Sequence, residues 1–128
     1  MLSLPHKRLW LAVGWFLIIA VVYGSLMPQV PSVGVHVSDK VQHSTAYFAL
    51  TLWFTGLYQR RSHWILALVF LVMGALLELL QALLTTTRVM DYHDLIANSG
   101  GIVAGLLVAR LGVDSWAKRI EAWWTARA

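Results

Sequence analysis

Four apolar runs divide the chain, and each after the first is interrupted by polar residues on one face only. The first, Leu9–Leu26, is uncharged and of roughly membrane-spanning length. The second, about 40–58, carries Lys40, His43, Tyr47 and Thr51 as a polar stripe at helical spacing, with Phe, Leu, Ala and Trp around the rest. The third, 64–84, is the most apolar. Its exceptions Gly74, Glu78 and Gln81, with Thr85 just beyond, are separated by four, three and four positions and share a face. The fourth, 91–111, aligns Asp91, Asp94, Asn98, Gly101 and Gly105 on one side. These periods predict an all-α, four-transmembrane-helix bundle occupying residues 1–112.

The connections carry turn chemistry. Met27–Asp39 contains Pro28, Pro31 and Gly34 and reads as a loop, with Asp39 placed to cap the next helix. Gln59–His63 is a tight basic turn, and Thr85–Met90 is a short linker holding Arg88. The tail, 113–128, is too polar to span. Val113, Trp116, Ala117, Ile120, Trp123 and Trp124 share one face, opposite Asp114, Lys118 and Glu121. That pattern predicts a cytoplasmic, interfacial amphipathic helix with its indoles at headgroup depth.

Composition agrees with the pattern. Only 12% of the 128 residues are charged and 59% are hydrophobic, against about 25% charged in soluble domains. The absence of cysteine excludes disulfides, thiol catalysis and thiolate zinc sites. A net charge of +4 raises nucleic acid as a partner. That reading needs a basic face interleaved with aromatics, whereas the basic residues here sit at the ends of apolar runs, so no nucleic-acid partner is expected. Lys7-Arg8 before an apolar run also resembles a signal peptide, but the run is long and three more follow, which predicts a retained first helix.

With the N-terminus inside, Lys7, Arg8, Arg60, Arg61, Arg110, Lys118, Arg119 and Arg127 lie on the cytoplasmic side, and only Lys40 and Arg88 outside. The positive-inside bias therefore predicts N-in, C-in. This orientation brings Lys40 and His43, Glu78 and Gln81, and Asp94 and Asn98 to one level in the outer half of the bilayer. Ionisable groups in hydrocarbon require partners and commonly mark a site.

The same residues carry a family resemblance. Asp39-Lys40-x-x-His43 with Tyr47-Phe48, Glu78-x-x-Gln81, Arg88, and Asp94-x-x-x-Asn98-x-x-Gly101 resemble the signature of the VanZ-like family, and Ser25 and Pro28 fit the end of its first span. The resemblance runs from about Leu9 to Leu111. It implies a small multi-pass protein of the bacterial inner membrane, tied through the family's namesake to low-level teicoplanin resistance, and it leaves the reaction open.

In the functional reading, Lys40 and Arg88 hold an anionic headgroup, Arg with its planar fork. His43 moves protons near neutral pH, and Glu78, partly desolvated, is a general acid. Asp94 orients His43 or Arg88, Asn98 donates to a developing oxyanion, and Gln81 completes the substrate-binding set. The expected ligand is a membrane lipid or lipid-linked cell-wall intermediate, and the expected chemistry is hydrolysis or transfer at a phosphate or ester.

Three alternatives stand beside this. Lys40 and Arg88 balance Glu78 and Asp94, so the network could be purely structural. A divalent metal on His43, Glu78, Asp91 and Asp94 matches no known ligand spacing and is not favoured. Transport needs a polar path, which the inner half of the bundle does not draw. Gly101 and Gly105 form a GxxxG pair, which permits close helix approach within the bundle or in an oligomer.

Overall fold

The computed structural model describes residues 1–28, 38–86 and 89–128. Five helices and no strand occur among the described residues: α1 (Lys7–Leu26), α2 (Asp39–Thr55), α3 (His63–Leu84), α4 (Tyr92–Arg110) and α5 (Trp116–Thr125). Short 3-10 turns at Arg60–Ser62 and Val113–Ser115 precede α3 and α5. The four apolar runs are thus four helices, and the polar tail is a fifth. Much of the expected loop before α2, with Pro31, Gly34 and His36, lies outside the described residues, as does Arg88.

One cap differs from expectation. Ser38, not Asp39, caps α2, its Oγ accepting from Val41 N at 3.3 Å. Asp39 is the first helical residue, and its carboxylate is turned toward the end of the bundle. Asp91 caps α4 as its position implies, accepting from His93 N at 2.8 Å.

Successive helices alternate in direction. The end of α1 meets the end of α3 through Gln81 Nε2, which donates to Ser25 O at 2.6 Å. The start of α2 meets the start of α4, where Ser44 Oγ donates to Ala97 O at 3.1 Å. The α2–α4 seam is the most extensive in the molecule. It closes because Gly101 faces the Ser44 carbonyl and Gly105 faces Thr51, whose Cβ would lie 2.7 Å from an added β-carbon. The expected close approach is therefore made within the chain. Both glycines are covered by α2.

Tyr47, Leu50, Phe54, Phe70 and Ile102 form the central core. Outside it the usual arrangement is reversed. Trp15, Phe16 and Ile19 of α1 and Trp64, Leu68, Leu76 and Leu83 of α3 are exposed, while Thr51, Glu78, Gln81, Asp94 and Asn98 are buried. A continuous apolar surface of this kind is an association surface in water. Helix α1 and the stretch Arg60–Leu84 are long and apolar enough to cross a membrane. Helix α4 with Val113–Thr125, bent by 76°, makes a third candidate. Helix α2, with 17 residues and a charged first turn, falls outside that measure. The chain is compatible with a membrane protein on these two to three helices.

The tail departs from the expected surface-lying helix. Ala117 is fully buried, and Glu121, assigned by sequence to the polar face, is 4% exposed. Glu121 accepts from His6 N at 2.9 Å, from His6 Nδ1 at 2.8 Å and from Trp10 Nε1 at 2.7 Å. Burial pushes its carboxyl up, and these donors outweigh that and hold it below the ordinary value. Trp53 Nε1 donates to Trp10 O at 3.2 Å and Trp116 Nε1 to Leu52 O at 3.0 Å, so these indoles point into the protein rather than toward headgroups. Trp124 stacks on Trp10, while Trp123 stays exposed beneath Arg127. Arg60 forks onto Asp114 and holds that carboxyl below its usual range. The amphipathic period located α5. It did not locate what α5 binds.

Candidate functional site

The opposite end of the bundle gathers the polar residues of α2, α3 and α4. Lys40, on the first turn of α2, reaches Asp91 Oδ2 at 3.2 Å and Asp94 Oδ1 at 3.3 Å. One turn further on, His43 points inward with its side chain 9% exposed. Its Nδ1 lies 3.0 Å from Asn98 Oδ1. An amide oxygen only accepts, so Nδ1 carries the proton. In the neutral ring, Nε2 is then the free base. It faces Asp39 Oδ2 at 3.7 Å and Asp94 Oδ2 at 3.8 Å, beyond hydrogen-bond distance from either.

Gly74 of α3 makes room for this arrangement, since a β-carbon there would sit 3.0 Å from Asn98 Nδ2 and 3.3 Å from the Tyr47 hydroxyl. That hydroxyl is buried and has no hydrogen-bond partner among the described residues. Tyr47 and His43 also line a cleft of about 370 Å³ between α1 and α2, with Asp39 and Ser25 at its polar end and Leu17 and Leu50 along its apolar wall.

Glu78 and Gln81 have different work. Glu78 is 1% exposed, and its Oε1 accepts from Asp91 N at 2.7 Å. Gln81 holds Ser25 O, and its own carbonyl accepts from Thr85 Oγ1 at 2.6 Å. Both fasten backbone: Glu78 anchors the start of α4, and Gln81 the end of α1. Of the seven sequence-selected residues, the structure brings Lys40, His43, Asp94 and Asn98 into one cluster, places Glu78 and Gln81 beside it as fasteners, and does not describe Arg88. Nor do Glu78, Asp91, Asp94 and His43 form one ligand set, because Glu78 is engaged with the Asp91 amide and Asp91 with His93 and Lys40.

Asp39 is the site residue that the sequence reading assigned elsewhere. Its spacing of four from His43 on one helix face was the available signal. His6 and Glu121, 115 positions apart, offered no local signal for the other end of the bundle.

Asp91 ties the cluster to the start of α4. Its carboxylate accepts from the His93 amide at 2.8 Å, meets the His93 ring at 2.8 Å and reaches Lys40 at 3.2 Å. Asp91→Ala removes this cap and is expected to destabilise the first turn of α4 by about 1 kcal/mol, read as several-fold faster amide exchange in that turn at neutral pH. Unchanged exchange there would mean that the helix start is held without Asp91.

Fold and site together define an all-helical protein with two to three helices of membrane-crossing character and a buried ionisable cluster at one end. Compared with known proteins, the chain matches no family model, no curated protein and no solved structure.

Proposed function

We propose that this chain is a four-span, N-in and C-in protein of the VanZ-like family in a bacterial inner membrane. Its polar cluster recognises the anionic headgroup of an envelope lipid or lipid-linked cell-wall precursor, and acts on it by hydrolysis or transfer at a phosphate or ester. The observation that carries this reading is that His43, bonded to Asn98 and facing Asp94 with Lys40 beyond it, lines a cleft with an apolar wall. A lipid entering laterally would lay its chains along Leu17 and Leu50 and bring its headgroup to the half-exposed Lys40 ammonium. His43, with Asn98 holding one ring nitrogen and the other left basic, suits proton transfer. The eight-to-two distribution of Lys and Arg supports the orientation that turns this end outward.

A structural reading of the network draws on Glu78 and Gln81, which fasten backbone rather than face the cleft. Native mass spectrometry of gently extracted protein separates the two. The headgroup reading expects a co-purifying anionic lipid that falls at least tenfold in Lys40→Ala and Arg88→Ala and persists in Trp123→Ala. Equal retention in all three would leave the network as a fastener.

A further inference from the structure

Asp39, His43 and Asp94 present one ligand atom each, all within 4.8 Å of one another. We propose that they bind a first-row divalent cation of the Zn²⁺ or Mn²⁺ class. This goes beyond the headgroup reading and stands without it: a bound ion takes the Nε2 lone pair there assigned to proton transfer and leaves Lys40 for headgroup binding.

Asn98 Oδ1 takes the proton on Nδ1, so the Nε2 lone pair of the neutral ring points between two carboxylate oxygens at 3.7 and 3.8 Å. With the ring neutral, three electron-rich atoms face one another across that gap, the His43 side chain 91% buried and Asp39 one-third exposed, and they repel unless positive charge, a proton on Nε2 or a metal ion, lies among them. Lys40 does not supply it, because its ammonium sits on the other oxygen of Asp94, Oδ1, and on Asp91. Among the described residues this end of the bundle places four carboxylates, Asp39, Glu78, Asp91 and Asp94, against the single ammonium of Lys40.

The groups that hold the three ligands have the form a metal site needs. A ligating histidine usually donates its other ring N–H to a fixed acceptor, which sets the tautomer and aims the lone pair. Asn98 does this for His43, and Gly74 leaves the space for its amide. Lys40 on Asp94 Oδ1 leaves Oδ2 for the ion. Bonds of about 2.1 Å put neighbouring ligand atoms roughly 3–3.5 Å apart, so the observed gaps close by small rotations of the carboxylates. One imidazole with two carboxylates favours a borderline transition-series ion over Ca²⁺, which takes six to eight oxygens. Three protein ligands leave coordination positions open, and Asp39 and His43 both line the cleft toward which they would face.

The test titrates Zn²⁺, and separately Mn²⁺, into metal-free, full-length protein in detergent, purified without a histidine tag, with bound metal measured after dialysis. One saturable ion per chain is expected. It should be lost in Asp39→Asn and His43→Ala and weakened about 10–100-fold in Asn98→Ala. It should be unchanged in His93→Ala, which removes the exposed histidine on Asp91. The Asp39 side chain is one-third exposed and does not cap α2, so Asp39→Asn keeps the fold and carries the test if His43→Ala does not. Binding that survives both Asp39→Asn and His43→Ala, binding that disappears in His93→Ala, or no saturable uptake by the parent protein would each overturn the assignment. No lipid enters this assay, so its failure is distinct from failure of the headgroup reading.

Discussion

Gly101→Leu is expected to destabilise the protein by about 3 kcal/mol or more, at the upper end for overpacked interiors, while Gly100→Leu, one residue away, stays within about 0.5 kcal/mol of the parent. The contrast follows from the seam between α2 and α4. A β-carbon at Gly101 collides with the Ser44 carbonyl and presses on Phe48 N, whereas one at Gly100 meets nothing within 4 Å. Backbone cannot rotate aside as a flexible side chain can, so the helices must part. Parting them breaks the Ser44–Ala97 and His43–Asn98 hydrogen bonds and disperses the candidate site with the fold. Thermal or SDS unfolding in micelles measures the difference. Equal midpoints for the two leucine variants would mean that the seam is not where the bundle is held.

Trp10→Ala is expected to weaken the other end by about 3–5 kcal/mol, the range for removing a buried tryptophan. Trp10 is buried, meets Trp53, Trp116 and Trp124 through its ring, and donates to Glu121. Its removal leaves a cavity and takes one donor from a carboxylate that is 4% exposed. Loss should concentrate in α5, whose docking on α1 and α2 depends on that contact. Amide exchange is the suitable readout: α5 protection should collapse in Trp10→Ala and persist in Trp15→Ala, where the indole is exposed on the outer face of α1. Intact α5 protection in Trp10→Ala would show that the tail is held elsewhere.

The helices and their polar faces were legible because each depends on short-range order. Period-3.6 placement of Lys40, His43, Tyr47 and Thr51, and of Glu78 and Gln81, determines the face whatever that face later meets. The meeting of these faces at one level also followed, since alternating helices of similar length return their ends to the same side. The division of labour within the cluster did not follow. Glu78 and Lys40 look equally reactive in sequence, yet one is bound to a backbone amide and the other is half exposed. Asp39 read as a cap because it begins a helix, and Ser38 took that role one residue earlier.

The tail makes the same distinction in reverse. Its period marked a helix, but Glu121 of the expected polar face is buried while Ile120 and Trp123 of the expected apolar face are exposed, and an apolar face does not say whether it will be covered by lipid or by protein. Trp116, Trp124 and Glu121 found partners in α1, α2 and the residues before α1.

The chain's own order of residues determined that this is a helical, cysteine-free protein with apolar runs, basic ends and polar stripes, because periodicity and composition act over a few residues at a time. Only the tertiary structure decided which carboxylates face a histidine, which hold backbone, and which tryptophans are buried. Most of those outcomes depend on contacts between positions distant in sequence, such as the 55 residues between His43 and Asn98 and the 115 between His6 and Glu121, where glycines at the seam let two helices touch and no local pattern records the contact.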